Sequence, residues 1–579
     1  MERRRPFGSL SRVGMVVGVI GLTVALAGCG GGGGGGGTAS ASSSGSGDSG
    51  GSSGSGSGSS SGGSSSGGSG SGSGSSSGGS SSGGSGSGSG SSSGGSSGGS
   101  SGGGTTQASS CSVRTTQVSC TPWIWENGSS GFNAAGVYGT KGTPSSSNFP
   151  GARQQGVSWT DTSGNLWLFG GLGQDSVVAN AAGLLNDLWR FNPSTGQWTW
   201  VSGSSTANPT GTYGLQGVAS SNNMPPPRYE AVSWTDPSGN LWLFGGLQKN
   251  DFSVLAPGDP LLNDLWRYDP SSNQWTWISG SNQSNTQGSY GTLGTAAASN
   301  VPPPRVGATT WTDSSGNLWL FGGTGFDATV YQNIGQFNDL WVFKPATGLW
   351  TWMGGQSPAT DPQLNGFYAG MNYQGNYGTQ GVGAASNYPG AREYASVWMD
   401  AAGNVWLFGG GGWDSADQYG VLNDLWEYSP TTHVWTWVSG SSSINSGGIY
   451  GTQGVPAATN TPGSRLDGAS WTDSSGNLWL FGGAGLDDAG GKGALSDLWE
   501  YSPSTGQWTW VNGSKTANTI GVYGTQGTAA ASNAPGGRAG ALFWTDTAGN
   551  HWLFGGYGLD NGNAGDLTQQ QYLNDLWRF

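Results

Sequence analysis

Few residues in this 579-residue chain could do chemistry: it has two histidines and three cysteines. His433 and His551 fall inside repeated strand motifs, where other repeats carry Gln197 and Leu166. Zinc-ligand spacing, a Ser-His-Asp set and a phosphate-cradling glycine loop are missing from the sequence, so neither metal nor cofactor is expected. Six arginines (Arg153, Arg228, Arg305, Arg392, Arg465 and Arg538) could in principle gather around a carboxylate. Their recurrence in every repeat assigns them instead to holding each unit together. Catalysis would need unique groups that break the repeat, and none stands out. Asp175, Asp327, Asp414, Asp487 and Asp560 each follow a Gly-Gly by four residues, with Asn250 and Asp251 in the remaining unit. A ring of such carboxylates could bind cations or basic partners, but a recurrent Asp after Gly-Gly more often caps a turn through its own backbone.

Aromatic side chains are the other candidates, as platforms for a ligand. Of the 31 tryptophans, 30 fall into six sets of five at equivalent positions, typified by Trp159, Trp167, Trp189, Trp198 and Trp200. These read as packing residues. Trp413 is left over, in a variable loop, with Tyr419 beyond it. The longest connection in the chain adds Phe367, Tyr368, Met371 and Tyr373. Non-repeated aromatics in long loops on one rigid face suggest a binding patch formed by Trp413, Phe367, Tyr368, Tyr373 and Tyr419.

The elements that must position these residues are repeats. Trp-Leu-Phe-Gly-Gly starts at Trp167, Trp242, Trp319, Trp406, Trp479 and Trp552, a spacing of 73 to 87 residues. Asp-Leu-Trp follows each copy, at Asp187, Asp264, Asp339, Asp424, Asp497 and Asp575. Self-similarity at a long fixed period names the architecture. In one repeat, Arg228–Trp234 is a first strand and Asp236–Asn240 a tight turn. Leu241–Phe244 is a buried second strand, Asp264–Tyr268 a third, and Gln274–Ile278 an alternating fourth. Four antiparallel strands per unit predict a β-propeller blade.

The Arg-led first strand, the Gly-Gly after the second, the Asp-Leu-Trp third and the Trp-bearing fourth resemble the kelch repeat over residues 121–579. The period exceeds the about 50 residues usual for that repeat. An added segment marked by Tyr138, Tyr213, Tyr290, Tyr377, Tyr450 and Tyr523, each followed by glycine, accounts for the excess. The array opens on a lone fourth strand, Trp123-Ile124-Trp125, and stops at a third, Asp575–Phe579. The expected fold is therefore all-β, a six-bladed kelch-type propeller closed by an N-terminal strand. The central domain of galactose oxidase has kelch-like blades too. That family's copper site needs two His, two Tyr and a Cys-linked Tyr, and the propeller here has no spare cysteine.

Residues 1–29 combine a basic start, an apolar run from Val13 to Leu26, and Leu26-Ala27-Gly28-Cys29. This resembles the bacterial lipobox, which implies export, lipidation of Cys29 and attachment in the cell envelope, with outer-membrane sorting suggested by Gly30. Residues 30–109 are almost wholly Gly and Ser and read as a disordered tether, with a typical span on the order of 50 Å. Residues 110–579 form the propeller. Cys111 and Cys120 are expected to pair as a disulfide in an exported protein. A net charge of −13 and no basic run after residue 29 argue against nucleic-acid binding. The expected function is a non-catalytic, monomeric recognition module that binds a protein partner through its loop face. A carbohydrate-binding version would use Trp413, Tyr368 and Tyr373 as stacking platforms, and a galactose-oxidase-like enzyme ranks below both.

Overall fold

A computed structural model describes residues 112–114, 117–119, 122–177, 182–250, 255–256, 258–326, 334–356, 374–561 and 571–579. Among these residues there are strands and turns and no helix. Each repeat is an antiparallel sheet whose strands pair in chain order. In the first, Val157–Thr160 pairs with Leu166–Gly173, then Gly183–Asn192, then Gln197–Ser202. The second repeats this order with Val232–Thr235, Leu241–Phe244, Leu265–Asp269 and Gln274–Ser279.

The innermost strands of the later sheets are Thr309–Thr312, Ser396–Met399, Ala469–Thr472 and Leu542–Thr545. Each packs on the next, and the sixth returns to the first. Side-chain hydroxyls lace them together. Ser233 Oγ donates to Ser158 O at 3.2 Å, and Thr310 Oγ1 to Ser233 O at 3.1 Å. Ser158 Oγ closes the circuit by donating to Phe543 O at 3.1 Å. The fold is a β-propeller. Its axis holds a channel of about 400 Å³, lined among others by Ser158, Thr160, Ser233, Thr312, Thr472 and Thr545.

The core lies between neighbouring sheets. Leu166, Leu168, Trp189 and Trp198 of the first pack against Trp544, Trp552 and Phe554 of the sixth. Turn chemistry feeds this packing. Asp161 accepts from the backbone N–H groups of Ser163 and Asn165, and its second oxygen accepts from the Trp167 indole at 2.8 Å. The hairpin aspartate thus supplies the hydrogen bond that a buried tryptophan needs.

The strand that closes the ring lies where the sequence places it. Ile124–Asn127 pairs with Tyr572–Arg578, and Glu126 meets Arg578 at 2.6 Å. Asn533 Nδ2 donates to Trp123 O at 2.9 Å. Removing residues 121–126 should uncover the outer edge of the sixth sheet. We expect such a chain to melt several degrees lower and to self-associate, because an unpaired edge is a template for pairing. Unchanged melting and a monomer in light scattering would contradict this closure.

The N-terminal hairpin pairs Ser112–Arg114 with Gln117–Ser119. Cys29, Cys111 and Cys120 lie outside the described residues, as do Phe367, Tyr368 and Tyr373.

Candidate functional site

The six first-strand arginines are consumed by structure. Arg153 binds Asp187 with two parallel hydrogen bonds of 2.7 Å and donates through Nε to Gly151 O. The same aspartate accepts from Tyr138 OH and from the Trp189 indole, both at 2.7 Å. Every repeat builds this hub, with Asp264, Asp339, Asp424, Asp497 and Asp575 as the other carboxylates. It also explains the added tyrosine segment, whose hydroxyl completes the hub. All six ion pairs are fully buried.

The hub fixes where the next residues go. Gly171 N donates to Arg228 O of the following sheet at 2.9 Å. A Cβ on Gly171 would come within 2.7 Å of Gln154 O, and its φ is +99°, so only glycine permits this approach. Anchored on both sides, the chain turns toward the axis two residues after each arginine. The six residues there are Gln155, Glu230, Gly307, Tyr394, Asp467 and Gly540, all with φ between 51° and 63°. Each backbone N–H donates to the carbonyl of the one before, at 2.7 to 3.4 Å, and Gln155 N completes the circle on Gly540 O. A cyclic girdle of six backbone hydrogen bonds therefore surrounds the axis.

Glycine suits this left-handed conformation, and two sheets use it. The other four carry Gln, Glu, Tyr and Asp at a strain of about 1–3 kcal/mol each. Their side chains must supply something that glycine cannot. Tyr394 lies across Gly307, and its hydroxyl bonds the Glu230 carboxyl. Gln155 Nε2 donates to Asp467 Oδ2 at 3.1 Å beside Gly540. Thus each glycine makes room for a polar pair that spans it.

A third carboxyl joins from the position before Tyr394. Glu393 accepts from Thr324 Oγ1 and, at 3.1 Å, from Tyr419 OH. Both partners lie beyond the Gly-Gly step of their sheets. Burial pushes the Glu230 carboxyl up to about 8, helped by the charges of Glu393 and Asp467 and opposed by Tyr394. Burial also lifts Glu393 to about 7, against the hydrogen bonds from Thr324 and Tyr419. It lifts Asp467 to about 6, against Gln155. Near neutral pH the cluster can therefore both give and take a proton.

Of the aromatics singled out by sequence, Trp413 and Tyr419 reach this cluster. Their rings meet edge-on at 5.7 Å, Trp413 Nε1 donates to Gln336 Oε1 at 3.2 Å, and Tyr419 touches Glu393 as described. Asp175, Asp414 and Asp487 cap turns as expected: Asp414 accepts from the backbone N–H of Ala416, Gln418 and Ile444, while Asp327 lies outside the described residues. His433 bonds Tyr428 OH in a turn. His551 is buried against Trp471 and Phe543, and burial lowers it to about 4.

Sequence reasoning missed Gln155, Glu230, Glu393, Tyr394 and Asp467. They are the symmetry-breaking groups that seemed to be missing. The signal was present: one and two places after an arginine that recurs in every repeat, the residue changes in nearly every repeat.

No family model matches the chain. An N-acetylneuraminate epimerase of Yersinia enterocolitica is 26% identical over 259 residues, 42% of this chain and 58% of that protein. An N-acetylneuraminate epimerase of Yersinia pestis (strain Pestoides F) is 26% identical over 273 residues with the same coverages. The chain thus spans about 58% of the length of the curated relatives it matches. The solved structure of YjhT aligns with 74% of this chain and 95% of its own, at 15% identity and a TM-score of 0.41. The expectation of a non-catalytic recognition module is corrected by these relatives, which are enzymes by name. The physical reason for the error is that repetition was taken to exclude chemistry, whereas the axial carboxyls occupy the two positions after each first-strand arginine, which do not repeat.

Proposed function

We propose that this propeller is a sugar epimerase working by proton transfer between the axial carboxyls. The supporting observation is a buried set of three carboxyls raised to between about 6 and 8, with Glu230 and Asp467 on left-handed axial backbone and Glu393 one residue before it. The relatives' names point to the same reaction class. Inversion through an enolate would build negative charge beside three carboxyls, which is unfavourable. Opening of a hemiacetal ring suits the site better, because the protons move only between oxygens. A carboxylate at Asp467 or Glu393 takes the proton of the anomeric hydroxyl. Protonated Glu230 gives its proton to the ring oxygen as that C–O bond breaks, leaving an open-chain carbonyl. The carbonyl carbon then turns its other face, the ring oxygen adds back, and both protons return. No electrons are gained or lost.

Trp413 and Tyr419 form one wall of the site in this reading. The kelch-like repeats are the scaffold, and the leader with Cys29 would tether the enzyme in a bacterial envelope, set off by the Gly/Ser segment.

The pH profile tests the assignment. Turnover should rise as Glu393 and Asp467 lose their protons between about 6 and 7, and fall as Glu230 loses its own near 8. Tyr419→Phe removes a hydrogen bond that holds Glu393 down, so the acidic limb should move to higher pH. Anomer interconversion followed by exchange NMR across pH 5 to 9 measures both. A flat profile, or a limb unmoved in Tyr419→Phe, would count against these roles.

A further inference from the structure

We infer that the axial site takes an uncharged sugar, held by hydrogen bonds from its hydroxyls to buried amide oxygens of Gln154 and Gln155. This rests on the epimerase reading and adds its substrate class.

The first support is the lack of a counter-charge. Each first-strand arginine is neutralised by its own aspartate within the hub. Arg190, Arg267 and Arg578 lie over Trp167, Trp242 and Trp552, away from the girdle. Lys249 is held by Asp259 at 2.9 Å. The charges that act on Glu230, Glu393, Tyr394 and Asp467 are one another's carboxyls, with no arginine or lysine among them. In the sequence, residues 178–181, 251–254, 327–333, 357–373 and 562–570 include no Lys, Arg or His. A sugar carboxylate would therefore be desolvated beside Asp467 with nothing to pair it, which costs several kcal/mol.

The second support is a pair of waiting acceptors. Gln155 spends its amide N–H on Asp467, while its Oε1 is buried without a protein partner. Gln154 Oε1 is in the same condition, and the two residues are 6% and 1% exposed. Leaving such an acceptor empty costs about 1–3 kcal/mol, which a ligand hydroxyl restores. Carboxylates and amide oxygens together make a site rich in acceptors, and hydroxyl groups are the donors that match it. Half-buried Trp413 and Tyr419 beside Glu393 add aromatic surface for the apolar C–H face of a pyranose ring.

Binding should be read by calorimetry at pH 7 on the full chain carrying Glu230→Gln, so that turnover does not intrude. The ligands are glucose, galactose and N-acetylglucosamine, set against glucuronate, galacturonate and N-acetylneuraminate. At least one neutral sugar should bind tenfold or more tighter than its matched uronate and than N-acetylneuraminate. Adding Gln155→Leu or Gln154→Leu should weaken that sugar about tenfold with the melting temperature kept. Equal or tighter binding of an acidic sugar, or no binding of any neutral sugar at 50 mM, overturns the inference. A neutral sugar that binds as expected but is not epimerised by the unsubstituted protein would defeat the epimerase reading and leave the substrate class standing.

Discussion

Glu230→Gln should abolish turnover and at the same time make the protein more stable at pH 8. The catalytic side follows from losing the proton donor, a loss of about 10²- to 10⁴-fold in kcat. The stability side follows from burial. The folded state holds the Glu230 carboxyl at about 8, so it keeps a proton that an unfolded chain gives up near 4.5. With the folded value raised, stability is greatest below 4.5 and is lost as pH climbs toward 8. The shift corresponds to a penalty on the order of 5 kcal/mol at full ionisation. Glutamine keeps the shape, can still bond Tyr394 and carries no charge, so the penalty disappears. The difference in melting temperature between the two proteins should be large at pH 8 and small at pH 5. A variant that is inactive but less stable at pH 8 would mean that Glu230 is a structural carboxylate, and the proton-donor role would fall.

Arg465→Met should be the most damaging single change outside that cluster. The guanidinium makes two 2.7 Å bonds to Asp497, and further bonds to Gly463 O and Gly482 O. Asp497 would be left as a fully buried carboxylate with only Tyr450 and Trp499 as donors. Breaking one partner of such a pair costs about 3–5 kcal/mol. Tyr450→Phe removes one donor only and should cost about 1 kcal/mol. Glu126→Gln touches the half-exposed pair with Arg578 and should fall within about 1 kcal/mol of the parent. Urea denaturation of the three variants gives the ranking. If Arg465→Met lies within 1 kcal/mol of the parent, the hubs are not what holds each sheet to its preceding segment.

The architecture was legible in the sequence because it is written six times. Strand order, the hairpin aspartates, the structural arginines and the closing strand all follow from which residues recur. The catalytic candidates were not legible for the same reason. Glu230 and Asp467 look like ordinary surface carboxylates in the sequence, since nothing there says that the backbone turns left-handed at those positions. Only the alternation with Gly307 and Gly540 hints at it. Trp413 was found because it fell outside the repeat in what the sequence presents as a variable loop, whereas it ends the strand Val405–Trp413 and pairs with Tyr419. Tyr394 was passed over because the sequence presents it as part of the first strand, where variation is usually read as tolerance, whereas that strand stops at Glu393. Glu393 shows a further difficulty: its partners Thr324 and Tyr419 come from two different sheets, and spacing along the chain does not reveal that they meet.

The closing strand also sets when this protein can first work. Glu126 and Arg578 are 452 positions apart, and the girdle needs Gln155 to find Gly540. During synthesis the earliest strand must wait, unpaired, for the last one. Pairings this distant in sequence are slow to form, and the waiting chain exposes sheet edges. A ribosome-stalled or C-terminally clipped product lacking Tyr572–Arg578 would leave Ile124–Asn127 and the sixth sheet without their shared partner strand. Ring closure is therefore a readout of completed synthesis, acquired when the strand Tyr572–Arg578 arrives.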